Sequence, residues 1–123
     1  MIYNNEYKIK FYQNIDSSCC PVQGYINNLS EKDKAKVLKY IEFLREHKGI
    51  LDEPYSKHIR GKVRELRVDL GFRRHRIFYF TFVGKNIILL HAFLKQTSKT
   101  PEREIDKAIE HYENVSKYQK IYK

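Results

Sequence analysis

The chain has no Gly-rich phosphate loop, no HExxH, no CxxC and no GxSxG, so the common signatures of nucleotide-binding, zinc-protease, thiol-redox and serine-hydrolase chemistry are missing. Cysteine is scarce: Cys19 and Cys20 are adjacent, which builds no disulfide framework and lacks zinc-type spacing. A reducing cytoplasm fits that usage, with a structural or incidental role for the pair standing beside a redox one. The histidines at 47, 58, 75, 91 and 111 have no paired metal spacing, so neither a metal nor a cofactor is expected. There is no apolar run of ~18 residues, and Met1 to Glu6 carries no signal-peptide core. Membrane insertion and secretion are therefore not expected, and the expected location is cytoplasmic.

What the chain does have is positive charge and aromatic rings. Lys and Arg outnumber Asp and Glu by 24 to 15, for a net charge of +9, and 10 Tyr and 7 Phe accompany them. That balance favours a nucleic-acid partner over a neutral metabolite, the alternative being a basic domain with no such partner. A chain of 123 residues fits one domain, burying about two thirds of its unfolded surface. No internal repeat or low-complexity linker divides it.

The cations fall on strand-like segments. Glu65-Leu66-Arg67, Arg73 to Phe80, and His91 to Lys95 are spaced to lie side by side as three antiparallel strands. Gly71-Phe72 reads as one two-residue turn, and Gly84-Lys85, with Gly first, as a second of type II′. Leu70 then lies opposite Arg73, Arg67 opposite Arg76, Val83 opposite Asn86, Arg76 opposite Phe93 and Arg74 opposite Lys95. Directly opposed like charges repel, so a polyanion that neutralises them explains the pattern better than stability does. Alternation puts Glu65, Arg67, Asp69, Arg74, Arg76, His91, Phe93 and Lys95 on one face with Phe80, Phe82, Ile87 and Leu89. The other face, from Leu66, Val68, Leu70, Ile77, Tyr79, Val83, Ile88, Leu90, Ala92 and Leu94, is apolar, and helices are expected to cover it.

Tyr7 to Tyr12 reads as an edge strand, and Asn14 to Ser18 as loop. Pro21 to Leu29 reads as a short helix. Ser30 caps a longer one with Glu31 and Asp33 in its first turn; Ala35, Leu38, Ile41 and Leu44 recur at helical spacing until Gly49. Leu51 to Ser56 is read as loop, and Lys57 to Lys62 as a basic segment that is either a solvated loop or a substrate contact. Thr100 is read as an N-cap with Pro101 at the first helical position of a helix reaching about Lys117, with Ile105, Ala108, Ile109 and Tyr112 as its apolar stripe. The expectation is a small α+β domain: an antiparallel-rich twisted sheet, an N-terminal helical hairpin and a C-terminal helix, with helices on one face.

Arg, Lys, His and Tyr suffice for metal-free RNA cleavage, in which the 2′-hydroxyl attacks the adjacent phosphate and the 5′-oxygen leaves. Arg67 and Arg76 can neutralise the phosphate with their forked guanidinium groups. Lys95, crowded by cations, and His91 can exchange protons. Each has a second reading: Arg67 in an ion pair with Glu65 or Asp69, His91 as a satisfied core histidine, Phe93 as core rather than a base-stacking platform, and Arg73, Arg74 and His75 as a solvated turn rather than phosphate-positioning contacts. Lys57, His58, Lys62 and Lys99 complete the set of candidate RNA contacts.

Glu65-Leu66-Arg67, Arg76 to Phe80, Leu89 to Thr97 and Thr100 to Ala108, in that order, resemble the RelE/HigB toxin superfamily, in its phage-derived HigB-like branch. The resemblance spans roughly Leu38 to Val115. It implies a RelE-like fold and a toxin of a type II toxin–antitoxin system: a metal-independent mRNA interferase that cuts mRNA in the ribosomal A site and is neutralised by a helix-turn-helix, HigA-like antitoxin. It also implies that Arg67, Arg76 and Lys95 occupy the family's basic positions. Gln96 stands where a second lysine is common, and His75 where a tyrosine is. The chain is read as one toxin domain, residues 1–123, in which 1–28 is an N-terminal extension without a recognised motif and 118–123 a basic tail. A non-catalytic RNA- or ribosome-binding module is the alternative, and a partner-binding scaffold with an incidental basic face a third.

Overall fold

A computed structural model describes residues 7–82 and 85–123. In chain order these form β1 (Lys8–Phe11), α1 (Pro21–Asn27), α2 (Glu31–Glu46), β2 (Ser56–Arg60), β3 (Val63–Leu70), β4 (Arg73–Phe82), β5 (Asn86–Lys95), α3 (Glu102–Lys117) and a short 3₁₀ helix, Gln119–Tyr122. The strands make one mixed sheet in the order β1-β5-β4-β3-β2. β1 runs parallel to β5 along one edge, and the other four strands form an antiparallel meander. This is the expected small α+β fold of RelE-like form.

Several details of the expectation change. Ser56–Arg60 is a strand, not a loop: it pairs with β3, Lys57 opposite Glu65 and His58 opposite Arg64, before a turn at Gly61 with φ of 57°. Its lone apolar residue, Ile59, gives no alternation to read, as suits a polar edge strand. The helices also cover both faces. α1 and α2 bury Val22, Ile26, Val37, Ile41 and Leu44 against Leu66, Val68, Ile77, Tyr79, Ile87 and Leu89. On the opposite face α3 and the 3₁₀ helix bury Ala108, Val115 and Tyr122 against Val63, Phe78, Phe80, Phe82, Ile88, Leu90 and Phe93. The former face was expected to be covered; the latter is apolar over half its length and needs a cover as well.

The β4–β5 register explains an error of parity. Phe82, not Val83, lies opposite Asn86, so three residues, 83–85, connect the strands, and Lys85 has φ of 73°. The type II′ turn expected at Gly84-Lys85, and the facing of Val83, fall on residues 83 and 84, which lie outside the described residues. A bulge follows at Phe78/Tyr79, where β5 carries one extra residue, Leu90: Tyr79 pairs with Leu89 and Phe78 with His91. The longer loop and the bulge cancel beyond this point, so Arg76 meets Phe93 and Arg74 meets Lys95, as expected. Between loop and bulge the faces are exchanged, and Ile88 rather than Ile87 joins Phe80 and Phe82. The carbonyl of bulged Leu90 accepts from His111 Nδ1 at 2.7 Å. The His111 ring stacks on Tyr12, and burial lowers its pKa, which favours the neutral donor form.

At helix ends, Ser30 caps α2 as expected, accepting from the Asp33 amide at 3.3 Å. The inward stripe, however, is Asp33, Val37, Ile41 and Leu44, while Leu38 is exposed. Pro101, not Thr100, is the N-cap position of α3, and the Thr100 hydroxyl instead donates to Glu65 Oε2 at 3.1 Å. In the basic tail Tyr122 is buried, and its hydroxyl donates to the Gln13 carbonyl at 3.1 Å.

Candidate nucleic-acid interface

On the face shared with α3, the registers of β3, β4 and β5 set out three cross-strand rows: Glu65–Phe78–His91, Arg67–Arg76–Phe93 and Asp69–Arg74–Lys95. Lys57 extends the first row across β2. Rows stand two residues apart along each strand, roughly 6.6 Å. Arg67, Arg76, Lys95, Arg74 and Phe93 are thus brought together, with His91 one row beyond the arginines.

The opposed arginines are held by carboxylates. Glu65 is buried at 1% exposure, accepting from Arg67 Nε at 3.3 Å and lying 3.9 Å from Arg76 Nε. Arg76, also buried, donates through Nη1 to Asp69 Oδ1 at 2.6 Å and to the His75 carbonyl at 3.0 Å. The structural ion pair weighed for Arg67 therefore exists, with Glu65 as partner, and Asp69 serves Arg76. Among the described residues, Arg76 Nε is the one buried side-chain nitrogen or oxygen without a hydrogen-bond partner. Such a donor is costly unless something arrives to fill it.

Lys95 is 7% exposed, and its pKa is lowered, first by burial and then by Arg76, with Arg67 and Arg74 adding to this and Glu65 opposing it. A buried ammonium among guanidiniums gives up its proton more readily than a surface lysine. His91 donates from Nε2 to Glu104 Oε1 of α3 at 2.6 Å, which leaves Nδ1 as its other nitrogen. Its ring lies near-parallel to those of Phe78 and Phe93. Glu104, in the first turn of α3, reads in the sequence as a helix-dipole residue, which hides its role in orienting this histidine.

Other candidates lie elsewhere. Arg73 is on the opposite face, where Nε and Nη2 each donate to Asp33 at 2.7 Å. His75 is buried beside it, donating from Nε2 to Asp33 Oδ2 at 2.9 Å and accepting at Nδ1 from the Tyr25 hydroxyl at 2.7 Å. Arg73, then His75, hydrogen-bond the Asp33 carboxyl and hold its pKa far below the usual range, while burial and Asp33 push Tyr25 up to about 12. Neither Asp33 nor Tyr25 stood out in the sequence: an acid in a first helical turn reads as dipole chemistry. His58 bonds back to the Gly61 carbonyl at 2.7 Å; Lys62 in the β2–β3 turn and Lys99 beyond β5 are exposed, as is Gln96.

Among the described residues no group of three or more His, Cys, Asp or Glu side chains is arranged to hold a metal ion, and no helix is long and apolar enough to cross a membrane. The family model described as phage derived protein Gp49-like (DUF891) matches residues 24–113 of the 123. The chain belongs to the Gp49-like family. That family is related to the RelE/HigB-type toxins. The Gp49-like match takes in α2, all of the meander and most of α3, and so every residue of the three rows. No curated protein matches the chain.

Proposed function

We propose that this Gp49-like protein is the toxin of a toxin–antitoxin pair, a metal-independent endonuclease that cuts mRNA in the ribosomal A site and is held in check by a helix-turn-helix antitoxin. The observation that carries the reading is Lys95: a buried lysine with a lowered pKa, one row from two opposed arginines, on a face whose cations outnumber their carboxylates.

The scissile phosphate sits over the middle row, where Arg67 and Arg76 neutralise the charge that grows on phosphorus and Arg76 Nε gains an acceptor. Lys95 and His91 flank that row from its two sides. One takes the 2′-hydroxyl proton as the O2′–P bond forms; the other returns a proton to the 5′-oxygen as the P–O5′ bond breaks. The products are a 2′,3′-cyclic phosphate and a 5′-hydroxyl. Phe93 offers its ring to a base, and the ribosome supplies the remaining geometry, so free RNA is a poor substrate.

Inducing wild-type and Arg76→Ala chains in a bacterial host, with growth followed and mRNA 5′ ends mapped, tests this. Growth arrest with new 5′-hydroxyl ends inside translated codons, both abolished by Arg76→Ala, is expected. Folded wild-type protein that binds RNA but generates no such ends overturns the nuclease reading in favour of a binding module.

A further inference from the structure

Phe72 is fully exposed at the tip of the β3–β4 hairpin, whereas the other six phenylalanines are buried or half-buried. The turn does not require it. Gly71, with φ of 58°, takes the one strained position, and Phe72 has no positive φ, so any small polar residue would serve beside that glycine. Packing does not explain the ring either, because it is left fully exposed.

Its surroundings are cationic. Phe72 borders a cleft of about 390 Å³ whose walls include Leu70 of β3, Lys32 and Lys36 of α2, and the half-exposed Arg73, which is already paired with Asp33. The carboxylate in that wall, Asp69, is already bonded to Arg76. The tip is four residues from Arg76 along β4, or about 13 Å, a span of a few nucleotides. A bare aromatic ring beside two lysines suits a single-stranded nucleic acid, whose bases stack while its phosphates meet the cations. A protein partner would instead need apolar surface around the ring to bury.

We propose that Phe72 is a stacking platform for an unpaired base of the RNA strand where it leaves the basic face around the β3–β4 tip, with Lys32 and Lys36 on the α2 side holding its phosphates. This rests on the RNA-cutting reading above and extends the contact beyond the three rows.

The chain contains no tryptophan, so Phe72→Trp in the full-length protein introduces a single fluorophore at the tip. It is titrated with a short, labelled, 2′-O-methylated single-stranded RNA, which cannot be cut, and binding is followed independently by anisotropy of the label. Saturable quenching that weakens with salt, together with about ten-fold or greater weakening of binding in Phe72→Ala and none in Phe72→Trp, is the expected result. RNA that binds wild type but not Arg76→Ala, while the tryptophan emission stays unchanged, overturns the platform and leaves the nuclease reading intact. Absence of RNA binding in every variant overturns the platform as well, and leaves the nuclease reading to the 5′-end mapping in induced cells. Quenching by an antitoxin but not by RNA reassigns the tip to a protein contact and overturns the proposal as well.

Discussion

Strand β4 feeds two charge clusters of opposite character, one on each side of the sheet. On the α2 side, Arg73 and His75 close on Asp33 and Tyr25 in a knot whose donors and acceptors are matched. On the α3 side, one residue along in each case, Arg74 and Arg76 join Arg67 and Lys95, four cations that face two carboxylates, Glu65 and Asp69. Composition does not separate the two. What separates them is the balance within each cluster: the first is neutralised and ties α1 and α2 to the sheet, while the second retains an excess of two positive charges, a lone Arg76 donor and a depressed lysine. A cluster that the protein does not complete for itself is where a ligand belongs.

The largest expected effect falls on the open cluster. Lys95→Met removes the proposed proton-exchanging group and is expected to cut 5′-hydroxyl end formation by about 10²–10⁴-fold. Because it also removes a buried cation from among cations, denaturant unfolding is expected to show stability unchanged or raised, by up to about 1 kcal/mol. A marked loss of stability would erase the contrast between the clusters. Next is the knot: His75→Ala breaks two hydrogen bonds of a buried ring and leaves a cavity, at a cost of about 2–4 kcal/mol in the same measurement. Cleavage per folded molecule should survive better than in Lys95→Met.

A pH test separates the knot further. Tyr25 has a folded pKa of about 12, raised above its ordinary value of 10.0. Its contribution is fully present below pH 10.0 and is lost as pH climbs towards 12. The wild-type stability curve should therefore fall more steeply across that window than the Tyr25→Phe curve, and coincident curves would remove Tyr25 from the knot. The smallest effect belongs to Asp69→Asn. The carboxylate is 56% exposed, so stability should shift by only ~0.5 kcal/mol. RNA binding should nonetheless tighten, with a steeper salt dependence, since one competing anion leaves the cluster.

The sequence makes the open cluster legible and the closed one almost invisible, for a physical reason. Gly71 announces a two-residue turn, and period-2 alternation then carries the Arg67–Arg76 pairing without further information. The Arg76–Phe93 and Arg74–Lys95 pairings emerge correctly although the route to them differs: a three-residue loop and the Leu90 bulge offset each other, and only Ile87 to Leu90 reveal the discrepancy. The knot instead joins residues 33, 25 and 75 across three elements, and local pattern says nothing about which first-turn acid of α2 points inward. β2 escaped because an edge strand needs no alternating apolar face, and α3's side of the sheet because a face half charged and half apolar reads as one surface rather than two.

The unfilled Nε–H of Arg76 has a use apart from chemistry. Shielded from water yet bonded to no acceptor, it should exchange slowly with solvent and resonate apart from the surface arginines in a nitrogen-15 spectrum. The molecule thus carries its own occupancy gauge: the first anion to settle between the strands, whether nucleotide, inorganic ion or an acidic side chain of a partner, should move that one line before any other.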